Sequence, residues 1–192
     1  MTQLDTRLFL WINASGDAPP WLLDAARWIS TDLPALAVLA LVPLLLFGPA
    51  ARRQLLGMGV AMALAWLAVR GIRETVHVAR PFELGLGTQW LAHSATASFP
   101  SYHAAVAGAW ACALSMCAPK RPRLWLALAG PVALLIAWSR VFLGLHFVSD
   151  IAVGLLLGLA CAVTARQGLR ALDRRRLRVA RTVVPVVGVG EP

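Results

Sequence analysis

Apolar residues run almost without a break through five stretches of the chain, at about 33–49, 54–72, 102–118, 124–139 and 147–165, and the only charges inside them are Arg70 and Asp150, each near an end. A helix needs about 20 mainly apolar residues, about 17 at the least, to cross a roughly 30 Å hydrocarbon core; each stretch meets that limit or comes within one residue of it and so predicts a transmembrane helix. The preceding stretch, 4–29, is interrupted by Asn13, Ser15, Gly16 and Asp17 and by the pair Pro19 and Pro20. Its second part sets Trp21, Leu22, Ala25, Trp28 and Ile29 at helical spacing, with Asp24 and Arg27 on the other side, the pattern of an amphipathic helix lying in the membrane interface. The expected architecture is an all-α integral membrane helical bundle of five transmembrane helices with an N-terminal interfacial helix. Six spans, with 4–31 inserting as a bent hairpin or a short span, is the alternative. The chain divides accordingly into an interfacial segment (1–32), a membrane domain (33–165) and a basic tail (166–192). Gly154, Gly158 and Ala162 form a stripe of small residues on the last span, suited to close helix packing.

Composition agrees and narrows the class. Of the 192 residues, 59% are apolar and 14% charged, against roughly 45–50% and 25% in soluble domains. The net charge of +9 does not mark a nucleic-acid partner, because 7 of the 18 basic residues lie between Arg166 and Arg181 and most others flank apolar runs. Cys112, Cys117 and Cys161 all fall inside apolar stretches and suggest neither a disulfide framework nor a metal site. A signal peptide is not expected, since residues 8–12 are too short and too poorly flanked for an apolar signal core. Arg52 and Arg53, then Lys120, Arg121 and Arg123, then the tail fall on one side of the bundle, which the positive-inside rule makes cytoplasmic. The loop 73–101, the connection 140–146 and the N-terminal segment fall on the other side, so the expected N-terminus is outside.

That outer side nevertheless carries Arg70, Arg73, Arg80 and Arg140 beside few carboxylates. Unpaired guanidiniums at the edge of an apolar region are costly, and their planar forks of donors match phosphate, so an anionic ligand with several oxygens is the expected partner. His146 and Asp150 stand at i and i+4, on one helix face. A carboxylate on one imidazole nitrogen fixes the tautomer and leaves the other nitrogen's lone pair to attack. One span descends after His103 and the next returns to Arg140, so the two histidines come back to the same depth. The expected roles are His146 as nucleophile, Asp150 as its partner and His103 as general acid, with Arg73, Arg80, Arg140 and the Ser101 hydroxyl around the phosphoryl oxygens. His77 and His93 read as ordinary loop histidines. No metal or other cofactor is expected.

These residues fall into three motifs that resemble those of the type 2 phosphatidic acid phosphatase superfamily of membrane lipid phosphatases, K-x6-R-P, P-S-G-H and S-R-x5-H-x3-D. Ser139, Arg140, His146 and Asp150 match the third at every defined position, Pro100, Ser101 and His103 match the second, and Arg80 and Pro81 match the first. Arg73 stands where lysine is usual, keeping the charge but exchanging a compact ammonium for a fork. Tyr102 stands where glycine, or aspartate in some bacterial members, is usual, putting a ring where a bare glycine backbone would approach phosphate. The resemblance implies a phosphohistidine on His146 and a site needing no metal. A finer resemblance, to bacterial undecaprenyl-diphosphate phosphatases of the bacitracin-resistance type, rests on small size, Leu10-x-x-Asn13 before Trp21-Leu-Leu-Asp24, and Ser98-Phe-Pro-Ser-x-His103. It implies a lipid phosphate or diphosphate substrate, undecaprenyl diphosphate first, with phosphatidic acid, phosphatidylglycerol phosphate or a lipid A phosphate as alternatives, in the bacterial cytoplasmic (inner) membrane with the site facing outward. The rival from another class is a non-catalytic binding or transport protein in which Tyr102 blocks turnover. Oligomeric state is not legible.

Overall fold

The structure, a computed structural model, describes residues 2–118 and 120–183, with side chains through 179. The helices are α1 (Gln3–Ile12), α2 (Pro20–Thr31), α3 (Leu33–Leu39), α4 (Pro49–Thr75), α5 (Tyr102–Met116), α6 (Pro122–Phe142) and α7 (Val148–Val183), with 3-10 turns at Val42–Phe47 and Pro81–Leu84. Helix starts follow local chemistry. Proline occupies the first turn of α2, α3, α4 and α6, where its missing N–H would lack a partner anyway. Thr2 and Ser101 cap α1 and α5 with their hydroxyls.

Helices α4, α6 and α7 are each long and apolar enough to cross a membrane. Helix α5 has 15 residues, short for a span, and it is the central helix, packed on α4, α6 and α7. Its small residues Ala104, Ala105, Ala107, Gly108, Ala109, Ala111 and Ala113 are all buried, which lets its neighbours come close. The glycines of α7 lie against it: a Cβ on Gly154 would sit 2.9 Å from the Ser101 carbonyl, and one on Gly158 would collide with the backbone of Ala105 and Ala109. The small-residue stripe therefore serves packing inside the bundle.

Residues 33–49 do not form the single straight helix that their hydropathy predicts. Helix α3 ends at Leu39 and gives way to the 3-10 turn, where Pro43 lacks the N–H that a continuing helix would use. Helix α2 joins this segment at a bend of 49°, and only together do the two reach the length of a fourth crossing. Leu23 and Ala26 of α2 cluster with Phe142 and Leu143 at the end of α6, whereas Leu41 and Leu44 cluster with Leu55 and Met58 near the start of α4. The bent segment thus runs from one end of the bundle to the other.

The N-terminal segment is tied down at the end where α4 and α6 finish and α5 and α7 begin. Asp5 accepts from the Ser149 backbone N–H at 3.0 Å and from its hydroxyl at 2.6 Å, at the start of α7. The Phe9 ring meets Phe147 at 5.4 Å. Asn13 exchanges hydrogen bonds with Thr88 and donates to the Phe142 carbonyl.

Candidate active site

At this end lie the last turn of α4 with Arg73, the cap and first turn of α5 with Ser101, Tyr102 and His103, the last turn of α6 with Arg140, and the first turn of α7 with Asp150. Between α4 and α5 the loop brings in Arg80 and Ser98, and the short connection from α6 to α7 brings in His146. Side chains 110 positions apart meet here, as when Arg140 Nη1 donates to the Ser30 hydroxyl on α2.

His146 and Asp150 are both about 1% exposed. The imidazole Nδ1 lies 3.2 Å from Asp150 Oδ2, and the same carboxylate oxygen accepts from the Phe147 backbone N–H at 3.0 Å, so one residue orients the histidine and caps the start of α7. On the other side of the ring, Arg80 Nη1 is 3.3 Å from Nε2. A guanidinium can only donate, so Nε2 is the acceptor and the proton sits on Nδ1, toward Asp150. Burial first, then the fields of Arg80, Arg140 and Arg73, hold the His146 imidazole well below the ordinary histidine range, so it is neutral at physiological pH with its lone pair on Nε2.

One member of this cluster escaped the sequence reading as a site residue. Ser98 is fully buried; its hydroxyl donates to Asp150 Oδ2 at 2.5 Å and lies 3.2 Å from His146 Nδ1. The signal was its place in the Ser-Phe-Pro-Ser-x-His stretch, but its partner is 52 positions away, beyond any local pattern.

The arginines differ in what they have left to offer. Arg80, 0% exposed, commits its donors to protein: Nε to the Thr96 carbonyl at 2.9 Å, Nη1 to the Leu145 carbonyl at 2.9 Å and to His146, and Nη2 to the Thr96 hydroxyl at 3.2 Å and the Ala97 carbonyl at 3.4 Å. Burial and the neighbouring Arg73 press its guanidinium down to about 10, still a cation at neutral pH. Arg73 donates from Nε and Nη2 to the Pro100 carbonyl (3.0 and 2.7 Å) and from Nη2 to the Ser98 carbonyl at 2.9 Å. Arg140, 2% exposed, bonds Ser30 alone among the described residues, and its buried Nε has no partner. None of the three makes an ion pair with a carboxylate among the described residues. Arg70 stands apart: it pairs with Glu74 at 3.3 Å and is 60% exposed.

Ser101 is fully buried as the cap of α5, its hydroxyl 3.5 Å from the Ala104 N–H, and its own N–H donates to the Asp150 carbonyl at 3.1 Å. His103 makes no hydrogen bond among the described residues. It lines an apolar groove of about 430 Å³ with Val38, Met62, Trp66, Tyr102 and Trp110. A second cavity of about 520 Å³ also touches Tyr102 and is bordered by Arg70, Arg73, Glu74, His77 and Thr96. His93 Nδ1 rests on the Ser94 carbonyl at 2.9 Å, a locally bonded loop histidine as expected, although burial and the three arginines lower its ionisation.

This end of the helical bundle thus holds a buried histidine and carboxylate beside arginines that pair with no carboxylate among the described residues, an arrangement suited to a phosphate. Residues 54–173 match the sequence profile of the PAP2 superfamily, and this chain belongs to that family and is a phosphatase. A relative from Escherichia coli strain K12, named "Putative undecaprenyl-diphosphatase YbjG", is 36% identical over 168 residues, which cover 86% of this chain and 83% of the relative. Two solved structures share the fold. LpxE of Aquifex aeolicus superposes with a TM-score of 0.74 at 23% identity, over 86% of this chain and 96% of that one. A PAP2-type phosphatidylglycerolphosphate phosphatase of Bacillus subtilis superposes with a TM-score of 0.61 at 21% identity, over 90% of this chain and 84% of that one.

Proposed function

We propose that this phosphatase hydrolyses undecaprenyl diphosphate to the monophosphate through a phosphohistidine on His146, at the outer face of a bacterial cytoplasmic membrane. The observation that carries the mechanism is the His146 ring, held at Nδ1 by Asp150 and facing at Nε2 the buried guanidinium of Arg80, which has no carboxylate partner among the described residues. The diphosphate as substrate is supported by the name of the 36% identical relative and by the apolar groove beside His103, which suits a hydrocarbon chain following the leaving oxygen.

The terminal phosphoryl group enters between Arg80 and His146, and its oxygens take over the hydrogen bond that Arg80 Nη1 makes to Nε2. Arg140, with Nε uncommitted, and the Nη1 group of Arg73 complete the cradle. Nε2 attacks phosphorus, the bond from phosphorus to the bridging oxygen breaks, and the electron pair leaves on the prenyl monophosphate. His103 supplies the proton to that oxygen, then takes one from the water that attacks the phosphohistidine and returns His146 to its neutral form. Asp150 and Ser98 hold Nδ1–H throughout, and the arginines neutralise the equatorial oxygens in place of a metal ion.

Five crossings are proposed, with the bent segment of α2, α3 and the 3-10 turn as the first and α4 to α7 as the rest. The charge distribution supports the outward orientation: Arg52 and Arg53 at the start of α4, with Arg166 and Arg170 of α7, lie at the end opposite His146.

A substrate panel separates the diphosphate from its competitors, and His103 sharpens it. A phosphomonoester must expel a strongly basic alkoxide, whereas a prenyl diphosphate expels a phosphate whose second pKa is about 6. Phosphate release by the purified protein should therefore be fastest from undecaprenyl diphosphate, and His103→Ala should lose on the order of 10²–10⁴-fold on phosphatidic acid but far less on the diphosphate. Equal losses would show that His103 binds the phosphoryl group instead, and a preference for phosphatidic acid would overturn the substrate.

A further inference from the structure

The two positions that depart from the expected motifs touch each other. The Arg73 guanidinium carbon lies over the Tyr102 ring, 4.4 Å from its centroid, and the Trp66 ring backs Tyr102 at 6.4 Å. In its own plane the same guanidinium grips two carbonyls of the segment leading into α5, those of Ser98 and Pro100. That segment carries the Ser98 hydroxyl bonded to Asp150 and the Ser101 N–H bonded to the Asp150 carbonyl. The contacts thus run without a gap from the Tyr102 ring through Arg73 and Ser98 to Asp150 and His146.

We propose that Tyr102 is a positioning residue: its ring fixes the plane of the Arg73 fork, and the fork clamps the 98–101 segment so that Ser98 and Asp150 hold His146 in line for attack. A guanidinium can stack on a ring through its face while donating through its edge, whereas an ammonium has no plane to fix. Ring and fork are therefore useful only together, and Arg73 with Tyr102 is a matched pair rather than two separate departures. The contribution is the ring face, since the Tyr102 hydroxyl makes no hydrogen bond among the described residues. The inference rests on the reading of His146 as nucleophile and is independent of which lipid is cleaved.

The test is a double-mutant cycle with kcat and KM measured on both undecaprenyl diphosphate and phosphatidic acid in detergent micelles. Tyr102→Phe should retain activity. Tyr102→Gly and Arg73→Lys should each lower kcat roughly two- to thirtyfold, the worth of a cation–π contact, with KM little changed. The double variant should fall no lower than the worse single one. Losses that multiply, a Tyr102→Gly defect confined to KM, or a Tyr102→Phe loss as large as that of Tyr102→Gly would each overturn the pair. Tyr102→Leu, which fills the space without a π face, should repeat the kcat loss if Tyr102→Gly does not fold. A wrong lipid assignment would change only the substrate ranking, because the cycle can be closed on whichever lipid is turned over. A wrong nucleophile would show as activity surviving in His146→Ala.

Discussion

Arginine at the two ends of this bundle lives in opposite circumstances. Around His146, Arg80 and Arg140 are 0% and 2% exposed and meet carbonyls, hydroxyls and one imidazole, but no carboxylate. At the other end Arg53 pairs with Asp173 while both stay partly solvated, 38% and 47% exposed, and Arg170, Arg174 and Arg175 lie exposed along α7. Charge in contact with water costs little and marks orientation. Charge held dry without a counter-ion is expensive, and a bound phosphate would supply the missing negative charge. The same residue type thus reads as topology at one end and as chemistry at the other, and burial tells them apart.

The sharpest way to break the comparison is to remove groups from each end. His146→Ala should abolish phosphate release and any trapped phosphoenzyme. Arg140→Met should lower kcat on the order of 10²–10³-fold, the scale of losing one preorganised donor to the transition state. Because its guanidinium is buried with an unpartnered Nε, that variant should unfold at a temperature no lower than the parent. Arg80→Met should lose activity and stability together, since Arg80 ties Thr96, Ala97 and Leu145 to one another. Arg174→Ala, at the other end, should stay within about twofold of the parent, as surface substitutions generally do. A large loss there, or none in Arg140→Met, would dissolve the distinction.

How much of this was legible in the sequence follows from the distances involved. His146 with Asp150, and Arg140 before them, fall inside one short stretch, where helical spacing alone brings the dyad together, and hydropathy marked α4, α6 and α7. The bend in residues 20–47 was not legible, because average hydropathy is blind to prolines at Pro34 and Pro43 and to a short 3-10 turn. Ser98, Thr96 and Ser30 were missed as partners of Asp150, Arg80 and Arg140, since each pairing depends on where a loop or a distant helix comes to rest. The cation–π contact of Arg73 with the Tyr102 ring joins two departures that are 29 positions apart in the sequence.

A gentler test reads the buried end by its pH dependence. Protonation of His146 would remove the lone pair that the proposed mechanism uses to attack phosphorus, and burial together with three cations disfavours that protonation. The acid limb of kcat/KM assigned to His146 should therefore lie below the ordinary imidazole range, with activity maintained as pH falls through 6.5. Arg140→Met removes one of the repelling charges, so its limb should move upward toward that range, but not reach it, because burial remains the larger cause. Comparing variant and parent on one substrate cancels the substrate's own ionisation. A limb that stays in place or moves down would show that Arg140 exerts no field on His146.

The smallest effect belongs to the solvated end. Arg53 on α4 and Asp173 on α7 form an ion pair, and with neither side chain buried it should contribute on the order of 0–1 kcal/mol, screened further by salt. In a chain of this length that corresponds to a fall in melting temperature of roughly 4 °C at most for Asp173→Asn, diminishing as ionic strength rises. Activity should be unchanged, because the pair lies at the end of α4 opposite Arg73. A stability loss that persists in high salt would mean that the pair is shielded from water, and an accompanying fall in kcat would mean that the end of the bundle opposite the site is coupled to His146. Either result would remove the contrast between the two ends.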